Sequence, residues 1–557
     1  MPALNVLLVY PRFPSLSFWN YRVTCEVSGA RYPAAPLGLI TVAALLPSHW
    51  NFRLVDRNAE ELTEDDLGWA DIVMTGGMLP QQLDTLALID LCKARATRVA
   101  VGGPDVSSSP HIYADADFRI IGEAEGIAKA FVQALEHGET GGVFEAEKFQ
   151  VDVTASPIPR FDLLKFEHYL HVGVQFSRGC PFTCEFCDII ELYGRVPRAK
   201  TDDQMLAELA VLYGCGYRGW IDFVDDNMIG NKKALKRFLP KLSAWQEQHG
   251  YPFEFSTEAS INLADDEELL DMLRRANFFA IFVGIETPDP ETLIAASKKQ
   301  NTRRDLAESV HRIYRAGIFV TAGFIVGFDT EKTNVAAQTM AFIEKAAIPV
   351  CMVGLLLALP NTQLMRRLRQ EGRLHPHHDV LLDHECDQCT VGLNFDTVRP
   401  RQEILGDCKK IVETIYTPAA YFARVRDVGM RLDCTMQRNP YPLIRNLLEL
   451  AAILWKLSRT HGVASHFWRT ALSCAVRNPL ALRSVIKMSA LYLHLGPFSR
   501  YVSRTLDGHI KENVSRWRQA PQDPKVVLHH TNPVLLNGHA PPPVAAGPIS
   551  LTRQGDA

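Results

Sequence analysis

Short apolar runs alternate with helical stretches through the first two thirds of this chain, and that alternation restricts it to α/β architecture. In residues 1–145 the runs fall at 5–10, 53–56, 70–75, 98–101 and 118–121. The first is continuously apolar, as a strand covered on both faces must be. Helices are predicted over 37–46, behind Pro36, and over 81–95. Together they form a doubly wound parallel sheet. A Pro-marked linker at 146–165 leads to six further β/α units, with strands at 171–176, 219–224, 253–258, 279–286, 318–326 and 348–359.

One loop interrupts that rhythm. The first strand of the second series runs into Ser177-Arg178-Gly179 and then Cys180, Cys184 and Cys187, at spacing C-x3-C-x2-C. Three thiolates on one loop suit three irons of a [4Fe–4S] cluster, leaving the fourth iron open to a small molecule. Buried apolar cysteines or a three-cysteine zinc site are the alternatives. Charged or glycine residues close several strands: Asp225 and Asp226, Glu258, Glu286, and the Gly323–Gly327 stretch. Chemistry in barrels sits at that end.

Composition narrows the function. The net charge of −4 gives no footprint for nucleic acid, and twelve cysteines in 557 residues are no secreted disulfide framework. There is no basic leader and no run of about 18 apolar residues, so a cytoplasmic protein without a spanning helix is expected.

The cysteine motif, with aromatic Phe186 before the last cysteine, resembles the radical SAM enzymes, and six β/α units resemble their partial (β/α)6 TIM barrel over 166–370. That resemblance implies a [4Fe–4S] cluster on Cys180, Cys184 and Cys187, with S-adenosylmethionine on its open iron. Asp225 or Asp226 would then neighbour the methionine amino group, Glu258 and Glu286 the ribose, and Gly323 and Gly327 the adenine. The preceding sheet, 1–145, looks like a Rossmann-like cobalamin-binding domain. Thr75, Gly76, Gly77, Gly102 and Gly103 would flank the corrin and its nucleotide tail, with Gly122 and Glu123 closing the next strand. No G-x-G-x-x-G points to a nicotinamide. The strand end Asp56-Arg57-Asn58-Ala59-Glu60-Glu61 lacks the His and Gly of D-x-H-x-x-G, so cobalamin is expected without a protein His ligand.

Residues 371–520 read as a mostly helical domain, and 521–557 as a disordered tail. Cys386 and Cys389 beside His384 raise a zinc alternative, but a loop over the barrel mouth, with either thiol on the substrate side, is the preferred reading. Basic residues among apolar ones near Trp468 allow peripheral contact with the inner membrane, or simply a solvated face.

The chain through residue 520 is closest to the cobalamin-dependent branch that includes hopanoid C-2 methylases. The match is carried by Tyr10-Pro11-Arg12-Phe13-Pro14, Ser17-Phe18-Trp19, 36–41 and 187–197. It implies methyl transfer to an unactivated carbon of a triterpene, using two molecules of S-adenosylmethionine and a flavodoxin- or ferredoxin-type electron donor. Another cobalamin radical reaction, on a tetrapyrrole or natural product, and a corrinoid-binding sensor are the rival expectations.

Overall fold

The computed structural model describes residues 3–381 and 387–512. The predicted tail and Cys386 lie outside them. The chain begins with seven short strands: β1 (Asn5–Tyr10), β2 (Tyr32–Ala34), β3 (Asn51–Asp56), β4 (Ile72–Gly76), β5 (Arg98–Gly102), β6 (Phe118–Ile121) and β7 (Gly142–Glu145). All but β2 form one parallel sheet in the order β3-β1-β4-β5-β6-β7. Leu7, Val9, Val73 and Val99 pack on one face and Val6, Leu8, Ile72 and Met74 on the other. Both faces are therefore dry, which explains the unbroken apolar runs.

A second parallel sheet follows. β8 (Tyr169–Val174) leads into a small antiparallel pair, β9 (Ser177–Arg178) and β10 (Arg198–Ala199), which frames the cysteine loop. Then come β11 (Gly219–Phe223), β12 (Phe253–Glu258), β13 (Phe278–Glu286), β14 (Phe319–Val326) and β15 (Val350–Leu355). The order is β15-β14-β13-β12-β11-β8-β2. Six sequential strands curl into the expected half-barrel, and β2, from the N-terminal segment, adds a seventh beside β8.

The C-terminal region is helical: Arg401–Ile415, Pro418–Arg431, Leu443–Arg459, Ala464–Arg477 and Leu482–Glu512. Buried polar anchors fix it to the barrel. Arg424 donates to the carbonyl of Ile348 (2.8 Å), and Tyr416 donates to that of Cys351 (2.7 Å). Among the described residues, no helix is long and apolar enough to cross a membrane.

Candidate active site

The cysteine loop is tied down at both ends. Gly179 adopts a left-handed φ of 94°, and a Cβ there would lie 2.9 Å from the carbonyl oxygen of Gly194. The Cys180 amide donates to that same oxygen (3.2 Å). Further along, the Glu185 amide donates to Ala296 O (3.1 Å), and Arg367 pairs with the Glu185 carboxylate at 3.0 Å. Two side-chain amides point at sulfur: Asn227 Nδ2 stands 3.8 Å from Cys180 Sγ, and Gln300 Nε2 stands 3.5 Å from Cys184 Sγ. Such donors support thiolates that ligate a cluster. Burial, with Asp188 alongside, pushes the Cys187 thiol well above its ordinary range, so only a bound cationic centre would keep it ionised. Among the described residues, no three His, Cys, Asp or Glu side chains gather as one metal ion would need. Paired amide donors and three sulfurs on one rigid loop fit the multinuclear cluster.

The acids after β11 mostly brace this loop. The Asp225 carboxylate accepts from Phe176 N (2.9 Å), Ser177 N (2.5 Å) and Ser177 Oγ (2.6 Å). Asp226 accepts from Gly179 N at 3.0 Å. Burial pushes Asp225 up to about 7 and Asp226 up to about 6. Glu258, at the end of β12, is reachable by solvent yet deeply enclosed, as a group lining an internal cleft is. Burial and the charges of Asp222 and Asp226 push it up to about 8. Glu286 ends β13 in a left-handed conformation, φ 64°, which costs roughly 1–3 kcal/mol. That turn delivers its carboxylate to Lys298 at 2.5 Å. Burial disfavours the Lys298 ammonium, but the Glu286 carboxylate beside it holds its pKa well above the usual value. Lys298 also lies 5.8 Å from the ring centroid of Phe186. A cleft with this excess of carboxylate suits a ligand bearing a sulfonium and an ammonium, as S-adenosylmethionine does. Gly323 lines the lumen between Phe282 and Met352, whereas Gly327 donates its amide to Glu331 (2.9 Å) and abuts Leu393.

The strand-end glycines of the first sheet serve close packing between backbones. A Cβ on Gly76 would lie 2.5 Å from Gly102 O, and Gly103, at φ 96°, abuts the backbone of Gly77. Beside them Thr75 Oγ1 is buried without a hydrogen-bond partner, which fits a polar ligand group at this edge. Glu123 is held by Arg178 (3.1 Å) and Arg198 (2.9 Å), and Glu125 by Arg178 (2.6 Å). This cluster joins the loop after β6, beside Gly122, to the residue two before Cys180, so the two strand-end edges face each other. The charged groups of Asp56-Arg57-Asn58 are taken up by neighbouring side chains. Asp56 accepts from Asn58 N (2.9 Å) and Tyr169 OH (3.1 Å), and Arg57 pairs with Asp84 at 3.0 Å.

Between the sheets and the C-terminal helices lies an aromatic lumen. Trp19 packs on Phe282 (centroids 5.4 Å) and Trp220 on Phe279 (5.5 Å). Trp220 Nε1 donates to Ser256 Oγ (2.6 Å), and Ser256 donates on to Asp222. At the far end Glu254, buried, pairs with Arg483 (2.9 Å) and Lys487 (2.5 Å) of the last helix. Cys389 is buried, with a thiol pushed well above its ordinary range by burial and by Asp387. It is a packed thiol in the segment beside β15.

Lys298, Gln300 and Arg178 were not legible as site residues, because none ends an apolar run. Asn227 could have been found, since it continues the Asp225-Asp226 strand end.

A half-barrel of this kind, with three cysteines after its first strand, defines a radical S-adenosylmethionine enzyme. Residues 174–343 match the Radical SAM superfamily model, and 362–507 match a domain of unknown function, DUF4070. An uncharacterized methyltransferase of Synechocystis is 42% identical over 520 residues, covering 93% of this chain and 96% of that protein. The hopanoid C-2 methylase of Rhodopseudomonas palustris is 36% identical over 517 residues, covering 90% and 94%. The cobalamin-dependent radical enzyme OxsB, solved with aqua-cobalamin and S-adenosylmethionine, superimposes with TM-score 0.57 at 14% identity, over 93% of this chain and 84% of that one. This chain belongs to the same family as these methyltransferases and carries a radical SAM domain.

Proposed function

We propose that this enzyme methylates C-2 of a hopanoid-type triterpene. The observation that carries the reading is the match to the hopanoid C-2 methylase along both chains, the DUF4070 region included. The aromatic lumen supports it, since Trp19, Trp220, Phe279 and Phe282 offer rings to a fused hydrocarbon body.

A [4Fe–4S] cluster, S-adenosylmethionine and cobalamin, bound together, would supply the 5′-deoxyadenosyl radical and the methyl group. Cys180, Cys184 and Cys187 would hold the cluster, with Asn227 and Gln300 bracing two of the sulfurs. Asp225 or Asp226 would neighbour the methionine amino group and Glu258 and Glu286 the ribose, with Glu286 oriented by Lys298. Thr75, Gly76, Gly77, Gly102 and Gly103 would border the cobalamin. Abstraction of hydrogen from an unactivated carbon needs no general base. The side chains therefore act by positioning the substrate carbon and by excluding water from the apolar site. An external one-electron donor of flavodoxin or ferredoxin type completes the system.

The test is anaerobic reconstitution with iron, sulfide and cobalamin, followed by S-adenosylmethionine, a reductant and a hopene-type triterpene. The expected result is a lipid heavier by one methylene, together with S-adenosylhomocysteine and 5′-deoxyadenosine. Deoxyadenosine without a methylated lipid would discard the substrate.

A further inference from the structure

Two adjacent helices of the C-terminal region are apolar on two opposite faces. Leu443–Arg459 buries Ile453 and Leu457, and Ala464–Arg477 buries Phe467, Ala471 and Cys474. Those inward stripes satisfy the core. A second stripe points outward: Leu448 and Trp455 on the first helix, then Trp468, Leu472 and Val476 on the second, running on to Leu480. Val476 is 84% exposed and Leu448 68%. The outward residues recur four or seven apart, so each helix carries them along one line. Trp468 Nε1 donates to Ser458 Oγ (3.0 Å), which sets the two lines side by side. Scattered exposed apolar residues need no explanation, but a continuous strip does.

The charge bordering this strip is mainly basic, and the nearby acids are engaged: Glu449 accepts from Ser28 Oγ (2.7 Å) and Glu26 pairs with Lys456 (3.5 Å). Residues 450–506 contain eight Lys and Arg and no Asp or Glu, in a chain whose net charge is −4. Arg459, Arg469 and Arg477 are exposed at its borders, and Arg459 lies over the Trp455 ring at 5.0 Å. A protein partner meeting this strip would bury those guanidiniums. A bilayer accepts both parts at once, with apolar residues below the headgroups, tryptophans at their level and guanidiniums on the phosphates.

We propose that these two helices form an interfacial docking face that lies in the plane of an anionic phospholipid bilayer. Leu448, Leu472 and Val476 enter the acyl boundary, Trp455 and Trp468 sit at headgroup level, and Arg459, Arg469 and Arg477 engage the phosphates. The next helix carries Arg483 and Lys487 to Glu254 at the end of the lumen. The face is thus one short turn of chain from the lumen, which suits an apolar substrate drawn from the membrane. The inference extends the lipid-substrate reading, but its test involves no triterpene, so either can fail without the other.

The test is sedimentation of the full-length protein with vesicles of phosphatidylglycerol and phosphatidylethanolamine, or of phosphatidylcholine alone, at low and high salt. Binding is expected to favour the anionic vesicles and to weaken with salt. The variant R459Q/R469Q/R477Q should lose on the order of 100-fold on anionic vesicles, at about 1 kcal/mol per cation. L472E/V476E should abolish binding to both, while its thermal midpoint and its reconstituted iron content stay those of the parent. Wild-type levels of binding by both variants, or no vesicle binding at all, would overturn the proposal. So would a dimer in sedimentation velocity that V476E dissociates, since that assigns the face to a second copy.

Discussion

Arg178 joins the two sheets immediately before the cysteine loop, and its removal is the most telling perturbation of the architecture. Burial alone would raise the Glu125 pKa, but the hydrogen bonds and charge of Arg178 outweigh it and pull the carboxyl down to about 2 from 4.5. That displacement, at 1.36 kcal/mol per pH unit, is worth ~3 kcal/mol at neutral pH. The pair is nearly solvent-free, at 12% and 10% side-chain exposure, so screening removes little of it. R178M strands two buried carboxylates, Glu123 and Glu125, and should cost ~3–5 kcal/mol at pH 7. The folded pKa of Glu125 is depressed, so its contribution is present above the unfolded pKa near 4.5 and fades as pH falls towards 2. At pH 3 it should stand near ~1.4 kcal/mol. Urea unfolding of parent and variant at pH 7 and pH 3 measures the difference directly. E125Q/R178M should regain part of the loss, because the double variant no longer buries an unpaired Glu125. A loss below about 1 kcal/mol at pH 7, or an equal loss at both pH values, would refute the assignment of this cluster as the clamp between the sheets.

Further expectations follow from the same geometry. C184S, assayed after reconstitution, should hold far less iron and sulfide while keeping its far-ultraviolet dichroism, because the loop is tied at both ends by backbone contacts. G76A places a methyl 2.5 Å from Gly102 O and should lower stability by ~2 kcal/mol in thermal unfolding, together with cobalamin retention. Glu258, pushed up to about 8 from 4.5, is largely protonated at pH 7, and its contribution to stability is lost as pH rises through 8. Binding of S-adenosylmethionine there should release close to one proton at pH 7, read as buffer-dependent heat in calorimetry and absent in E258Q.

The strands were legible because the first sheet is dry on both faces and the barrel strands keep an apolar outer face, so runs such as 5–10 and 279–285 leave little ambiguity. β2 was not legible: three residues with Pro33 at the centre carry no periodicity, and only pairing of Tyr32 with Tyr169 and Ala34 with His171 makes them a strand. β7 was missed because Gly142–Glu145 alternates half-buried with exposed residues at a sheet edge. The cysteine triplet stood out through spacing alone. The strand-end acids were visible as residue types, but their tasks were not. Asp225 and Glu123 find their partners in Ser177 and Arg178, through contacts no local pattern encodes. The glycines after β4 and β5 looked like room for a ligand, and much of that room is taken by each other's backbones.

The strand Tyr32–Ala34 has a consequence for the order in which the protein can form. During synthesis it leaves the ribosome early, yet its partner, Tyr169–Val174, follows roughly 135 residues later. At ordinary elongation rates that is an interval of about 7–30 s. Through that time the first sheet can close around β1, while β2 waits with its edge unsatisfied. The second sheet then grows outward from a strand already held by the first. Exchange of front halves between related enzymes would have to leave residues 17–36 with the half-barrel they complete, and a junction placed at residue 145 would remove that barrel's outer strand.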